Sequence, residues 1–186
     1  MVANITPLVT VADLDATPDD GNRYELIGGE LLVLRALGIP HQRILQNLQV
    51  ALSQYLSAHP SGMLVPGAGV IFDDYDAVIP DLIYVSEERL AQVVRGDRFV
   101  GAPDLLVEVM SPGTENRQRD LVMKRQLYGR HGVREYWVID PENLEVEVYR
   151  LSEQGLAQAA VLSARDELTT ALLPDFRLSL STVFKL

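Results

Sequence analysis

Two carboxylates in this 186-residue chain lie where charge is expensive. Asp81 is embedded in the run VIPDLIYV and Glu108 in DLLVEVMS, both otherwise apolar. An isolated ionised carboxylate in such surroundings must be paired, protonated or bound to a cation. Side chains alternate between the faces of a strand. Asp81 therefore shares a face with Ile79 and Ile83, and Glu108 shares one with Leu106 and Met110. Two carboxylates on neighbouring strands can hold one cation between them. The structural alternative is that each ends a strand and is satisfied by a backbone N–H or an arginine.

A third group follows in RQRDLVMKRQLYGRH. With a step of about 100° per residue, Leu121, Met123, Leu127 and Tyr128 bound one half-circle of a helix. Asp120, His131, Lys124 and Arg117 fall inside that arc; Gln118, Arg119, Arg125, Gln126 and Arg130 lie opposite. Lys124 is thus expected to face inward. There it can pair with Asp120 in the favourable acid-first i,i+4 order, or serve as a positive group beside the two carboxylates.

Composition narrows the chemistry. The absence of cysteine excludes disulfides, thiolate zinc sites and a cysteine nucleophile. With three histidines, oxygen ligands dominate, which favours hard ions, Mg²⁺ or Mn²⁺. A net charge of −10 argues against a nucleic-acid partner, because cations that neutralise phosphates supply much of duplex affinity. Positive charge is nevertheless concentrated. Arg117, Arg119, Lys124, Arg125, Arg130 and Arg134 stand against the single acid Asp120. Such a run is either a solvated helix face or a grip on a phosphate backbone, with Arg117, Arg119 and Arg125 the candidates for contact with DNA.

The elements that must position these groups can be read from the pattern. A short helix over 7–17 has Thr10 as its N-cap, and RYELIGGELLVL makes two strands around Gly28-Gly29. Pro40–Ala58 is the clearest helix, stopped by Pro60 and Gly62. Strands are expected over 63–72 and 78–85, separated by the turn Asp73-Asp74-Tyr75-Asp76, then a short helix and a loop between Glu87 and Gly101. Pro103–Met110 reads as a strand in the middle of a sheet. A helix over Glu115–Arg130, ending near Gly132, leads to two strands around Asp140-Pro141-Glu142-Asn143; short strands and a closing segment complete the chain. The expectation is one domain over residues 1–186, α/β in the mixed α+β sense. Met1–Asp13 lacks the character of a secretory signal, and no run reaches the ~18 apolar residues of a membrane span. A cytoplasmic location is expected, and exposed hydrophobic strands would suit a homodimer.

Weaker candidates surround the main three. Glu25 and Glu30 lie in the first hairpin, where either could join a metal shell or remain on the surface. His41 opens the long helix three residues before Ile44, a position that favours packing. Ser111 reads as a cap and Asp140 as a turn residue. Asp73, Asp74 and Asp76 lack the glycine and distal glutamate of a calcium loop.

Between about Arg23 and Tyr149 the chain resembles the Uma-two family of the PD-(D/E)XK restriction-endonuclease-like superfamily. The resemblance is carried by RYELIGGEL, Pro40-His41, Pro80-Asp81-Leu82, PDLLVEVMSP, Asp120…Lys124…Tyr128 and GVREYWVID. It implies a core of a helix, a three-stranded meander, a second helix and a further strand. It also implies that Asp81 and Glu108 bind Mg²⁺, with the backbone carbonyl of Val109 as an extra ligand. The superfamily motif has Lys two residues after the Glu, where this chain has Met110. The resemblance therefore points to Lys124 as a lysine moved to the following helix. The implied activity is metal-dependent endonucleolytic hydrolysis of a phosphodiester, with Lys124 at the attacking water. The alternative is a degenerate or non-catalytic nuclease fold kept for protein interaction.

Overall fold

The computed structural model describes residues 8–17, 20–34, 36–113 and 117–185. Thr10 caps α1 (Val11–Asp15) through reciprocal bonds with Asp13. β1 (Arg23–Ile27) and β2 (Glu30–Leu34) form the expected hairpin, with Gly28 and Gly29 both at positive φ. Its twenty-residue successor, α2 (Ile39–Ala58), carries Pro40 in its first turn and buries Ile44, Leu45, Leu48 and Leu52.

The two strands expected over 63–72 and 78–85 are four: β3 (Gly62–Pro66), β4 (Val70–Asp73), β5 (Asp76–Val78) and β6 (Leu82–Ser86). The breaks fall at Pro66-Gly67 and at Pro80, since proline has no N–H to give a ladder. After α3 (Glu87–Val93), the expected loop contains a small hairpin, β7 (Val94–Arg95) and β8 (Arg98–Val100).

β9 (Leu105–Val109) is buried at every residue. α4 consists of a π-wound segment, Arg119–Lys124, followed by an α-helical one, Arg125–His131. Gly132 ends it at φ 85°, where the Val133 N–H returns to the Tyr128 carbonyl. The expected helix start at Glu115 lies outside the described residues, as does Pro7 of the first helix. β10 (Glu135–Asp140) and β11 (Glu145–Ser152) flank the Asp140 turn. β12 (Gly155–Ser163) is nine residues long rather than short, and β13 (Glu167–Leu168), β14 (Leu178–Ser179) and α5 (Leu180–Val183) close the chain.

One sheet has the order β2-β1-β5-β4-β8-β7 and the other β12-β11-β10-β9-β6-β3. In the second, β3, β6 and β9 form an antiparallel meander, and β10 lies parallel to β9 after the α4 crossover. Helix α2, this meander, α4 and β10 are the restriction-endonuclease-like core that the resemblance implied. The fold is mixed α+β. One face of this sheet packs against α2 and the C-terminal segment, through Leu48, Leu52, Val107, Trp137, Phe176 and Leu180. The other face packs against α4 and the first sheet, through Leu106, Tyr128, Tyr136, Val138, Val70 and Phe99. Gly129 lets α4 approach β12: a Cβ there would stand 2.7 Å from the Leu156 nitrogen. Among the described residues, no helix is long and apolar enough to cross a membrane.

Candidate active site at the splayed end of two strands

The ladder between β6 and β9 runs from Tyr84↔Leu105 to Leu82↔Val107, and β9 continues past it to Val109, paired only with β10. Pro80 has no N–H with which to continue it. Asp81, just before β6, fills the gap: its Oδ2 accepts the Val109 N–H at 2.8 Å. The same oxygen lies 3.0 Å from Nε2 of His41, which is 5% exposed on the first turn of α2. His41 Nδ1 is buried with no hydrogen-bond partner.

Glu108 points toward α4. Its Oε1 accepts bonds from Lys124 Nζ at 2.8 Å and from the Tyr128 hydroxyl at 2.9 Å. Lys124, 2% exposed, also donates to Oε1 of Glu25 at 2.8 Å. Glu25 is wholly buried on β1, and its Oε1 receives the Ile79 N–H at 2.9 Å, just past the end of β5. Its Oε2 is buried without a partner. Asp120 is held by Arg119, through Nε at 3.0 Å and Nη2 at 3.3 Å; of the two roles open to Lys124, the pair with Asp120 is not seen among the described residues.

Charge in this cluster is unbalanced. Glu25, Asp81, Glu108 and Asp120 are offset by Lys124 and Arg119. Burial pushes the Glu108 carboxyl well above its usual range; Lys124 opposes this and Asp81 adds to it. Asp120 is also raised by burial, against the pull of Lys124 and Arg119. Burial works against the Lys124 ammonium, but Glu108, Glu25 and Asp120 outweigh it and hold the group charged above the usual lysine value. Tyr128 is raised by burial and by the neighbouring Glu108, so it donates rather than ionises.

The structure sets Asp81 and His41 at Val109, and Lys124 and Glu25 at the adjacent Glu108; Asp120 is held by Arg119, and Glu30 is exposed. Glu30 pairs with Ile27 beside the hairpin turn, two positions beyond the Glu25↔Leu32 pair. Arg117, expected on the inward arc, is exposed and bonds Asp140 instead. A π-wound turn advances each residue by less than 100°, so the phase read from Leu121 drifts before it reaches Arg117. Arg119, expected on the outer face, is half-buried for the same reason. Arg125 lies over the Tyr149 ring at 5.2 Å, Arg130 pairs with Asp76, and Arg134 pairs with Asp104. Thus the basic run is largely engaged within the chain.

One group was not anticipated. Asp73 and Asp76, at either side of the β4–β5 turn, meet His131 at the end of α4, with all three donor atoms within 4.8 Å of one another. His131 Nε2 is 3.5 Å from an oxygen of each aspartate. Sequence offered the two aspartates but not the histidine, 55 positions beyond Asp76 by residue number.

No curated protein matches the chain. A solved structure does: that of "a putative nuclease belonging to DUF820 from Anabaena variabilis", with a TM-score of 0.76 over 95% of this chain and 97% of that one. At 17% identity this is a likeness of fold. The family model described as "Putative restriction endonuclease" matches residues 11–181, nearly the whole length. The chain therefore belongs to the Uma2 (Uma-two) family.

Proposed function

We propose that this protein is a nuclease that hydrolyses phosphodiester bonds of DNA with the help of Mg²⁺ or Mn²⁺. The observation that carries it is that adjacent residues of β9 meet both groups: the Val109 N–H bonds Asp81, and Glu108 bonds the buried Lys124.

Asp81, Glu108 and the Val109 carbonyl would hold the metal. The donor set is all oxygen, as those hard ions require. The N–H and C=O of one strand residue point to the same neighbour, so the Val109 carbonyl shares the Asp81 side with its N–H. A divalent cation would also supply the positive charge that the cluster lacks. When bound, such an ion acidifies a coordinated water and polarises a phosphate oxygen.

The chain's own groups do the rest. Lys124, which donates to Glu108 and Glu25 at 2.8 Å each, serves as a hydrogen-bond donor and a positive charge at the reacting phosphate. Tyr128 fixes the Glu108 carboxylate, and His41 with the Val109 N–H fixes that of Asp81. Arg117 and Arg125 remain candidates for phosphate contacts at the rim. We take residues 1–186 as one cytoplasmic domain that works as a homodimer.

A second reading, a nuclease fold kept for protein interaction, is favoured by the internal pairing of the basic run and by the net charge of −10. Metal-dependent stabilisation separates the two. Mn²⁺ at a hundredfold excess over its Kd should stabilise the wild type by about 2.7 kcal/mol. Asp81→Ala and Glu108→Ala should abolish that response. If both variants instead melt higher and respond to metal as the wild type does, the metal-site assignment fails.

A further inference from the structure

Lys124 has no strand to hold it. Its four-carbon stem is flexible, and ordering it costs rotamer freedom. The ammonium is fixed by two carboxylates, each at 2.8 Å: Glu108 from β9 and Glu25 from β1. In the proposed reaction, Glu108 is also a metal ligand. A divalent ion and an ammonium at one carboxylate compete for its oxygens and repel each other, so Glu108 alone is a poor anchor when metal is present.

Glu25 differs in three respects. It is wholly buried, its Oε1 is pinned by the Ile79 N–H at 2.9 Å, and it comes from the first sheet rather than from the strands that carry Asp81 and Glu108. We infer that Glu25 is a positioning residue, the anchor that keeps Lys124 at the reacting phosphate when Glu108 turns to the metal. This rests on the nuclease reading above. It makes the N-terminal hairpin part of the reaction centre: β1 holds what α4 supplies in place of the lysine missing at Met110. The rival role for Glu25 is that of a third metal ligand through Oε2, which is buried without a partner.

The test uses the whole chain in wild-type, Glu25→Gln and Glu108→Gln forms, with Lys124→Arg to assign the lysine signal. The ammonium of Lys124 is followed by ¹⁵N NMR with and without Mg²⁺, and Mn²⁺ affinity is measured by calorimetry. In the wild type, the slowly exchanging ammonium signal should persist in saturating Mg²⁺. Glu25→Gln should lose it when Mg²⁺ is added, while Mn²⁺ affinity stays well short of the ~10–100-fold loss typical when a metal's supporting shell is cut. Its kcat for DNA cleavage should fall about 100-fold, the scale of one lost charge-stabilising donor, with KM little changed. Glu108→Gln should keep the signal, because Glu25 still holds the lysine.

A Glu25→Gln protein that keeps the signal in Mg²⁺ would overturn the inference. So would one whose Mn²⁺ affinity drops about tenfold or more, which would make Glu25 a ligand. If the wild type binds no metal and cuts nothing, the nuclease reading fails by itself. Glu108→Gln then decides the anchor: a retained ammonium signal supports it, and a lost one refutes it.

Discussion

Nζ of Lys124 and Oε1 of Glu108 lie 2.8 Å apart and buried, one from the π-wound segment of α4 and the other from a strand buried along its length. Neither group is tolerable there alone. Removing one partner of a buried pair strands the other charge, which costs about 3–5 kcal/mol.

Lys124→Met should therefore lower stability by about that amount, because Glu25 and Glu108 lose their shared cation. Urea unfolding at neutral pH measures this through the shift in midpoint. A loss below about 1 kcal/mol would mean that the carboxylates find other partners or take up protons without strain.

The placement of these groups was partly legible from sequence. Asp81 and Glu108 stood out because charge interrupts apolar runs, and Lys124 because its helical phase turns it inward. His41 was less legible: a helix-opening histidine looks the same whether it packs or bonds a carboxylate, and Asp81 is 40 positions away. Glu25 was ambiguous for the same reason, since a hairpin glutamate shows its burial only when α4 is laid across it. Arg117 and Arg119 were misphased because a π-wound turn leaves no clear sequence mark. The strand breaks at Pro66 and Pro80 were written in the sequence, but the apolar runs across them concealed the division.

His41 contacts Asp81, a proposed metal ligand, so its effect should appear in metal affinity. His41→Ala should weaken Mn²⁺ binding about 10–100-fold, the usual effect of removing a partner that orients a ligand. Calorimetric titration checks it. Unchanged affinity would leave His41 a packing residue.

The basic run should divide by function. Arg119→Ala leaves Asp120 buried and unsatisfied, and should cost about 1–3 kcal/mol of stability in thermal melts. Arg117→Ala removes a pair that is half-exposed on the arginine side, and should cost under about 1 kcal/mol. If Arg117 and Arg125 contact phosphates, the double alanine variant should flatten the salt dependence of DNA binding by about 1–2 in slope. Equal slopes in variant and wild type would remove both from the interface.

Asp140 governs part of the acid limb. Burial raises its carboxyl, but Arg117, Asn143 and the backbone N–H of Asn143 and Glu142 outweigh this and hold it below 3.8. Its stabilisation is present above that ordinary value and is lost as pH falls through the lower folded one. Asp140→Asn should therefore melt lower than the wild type at pH 6, with the gap closing below about pH 4. A gap independent of pH would assign the effect to the turn's hydrogen bonds rather than to the charge.

The most direct measurement of the central claim is cleavage of single- and double-stranded DNA at low salt, with Mg²⁺ or Mn²⁺, by the wild type beside Asp81→Ala and Lys124→Ala. Metal-dependent cleavage by the wild type that disappears in both variants is the predicted result. Cleavage that persists in both would contradict the account, because the bond would then be broken without the groups on which the proposed chemistry depends.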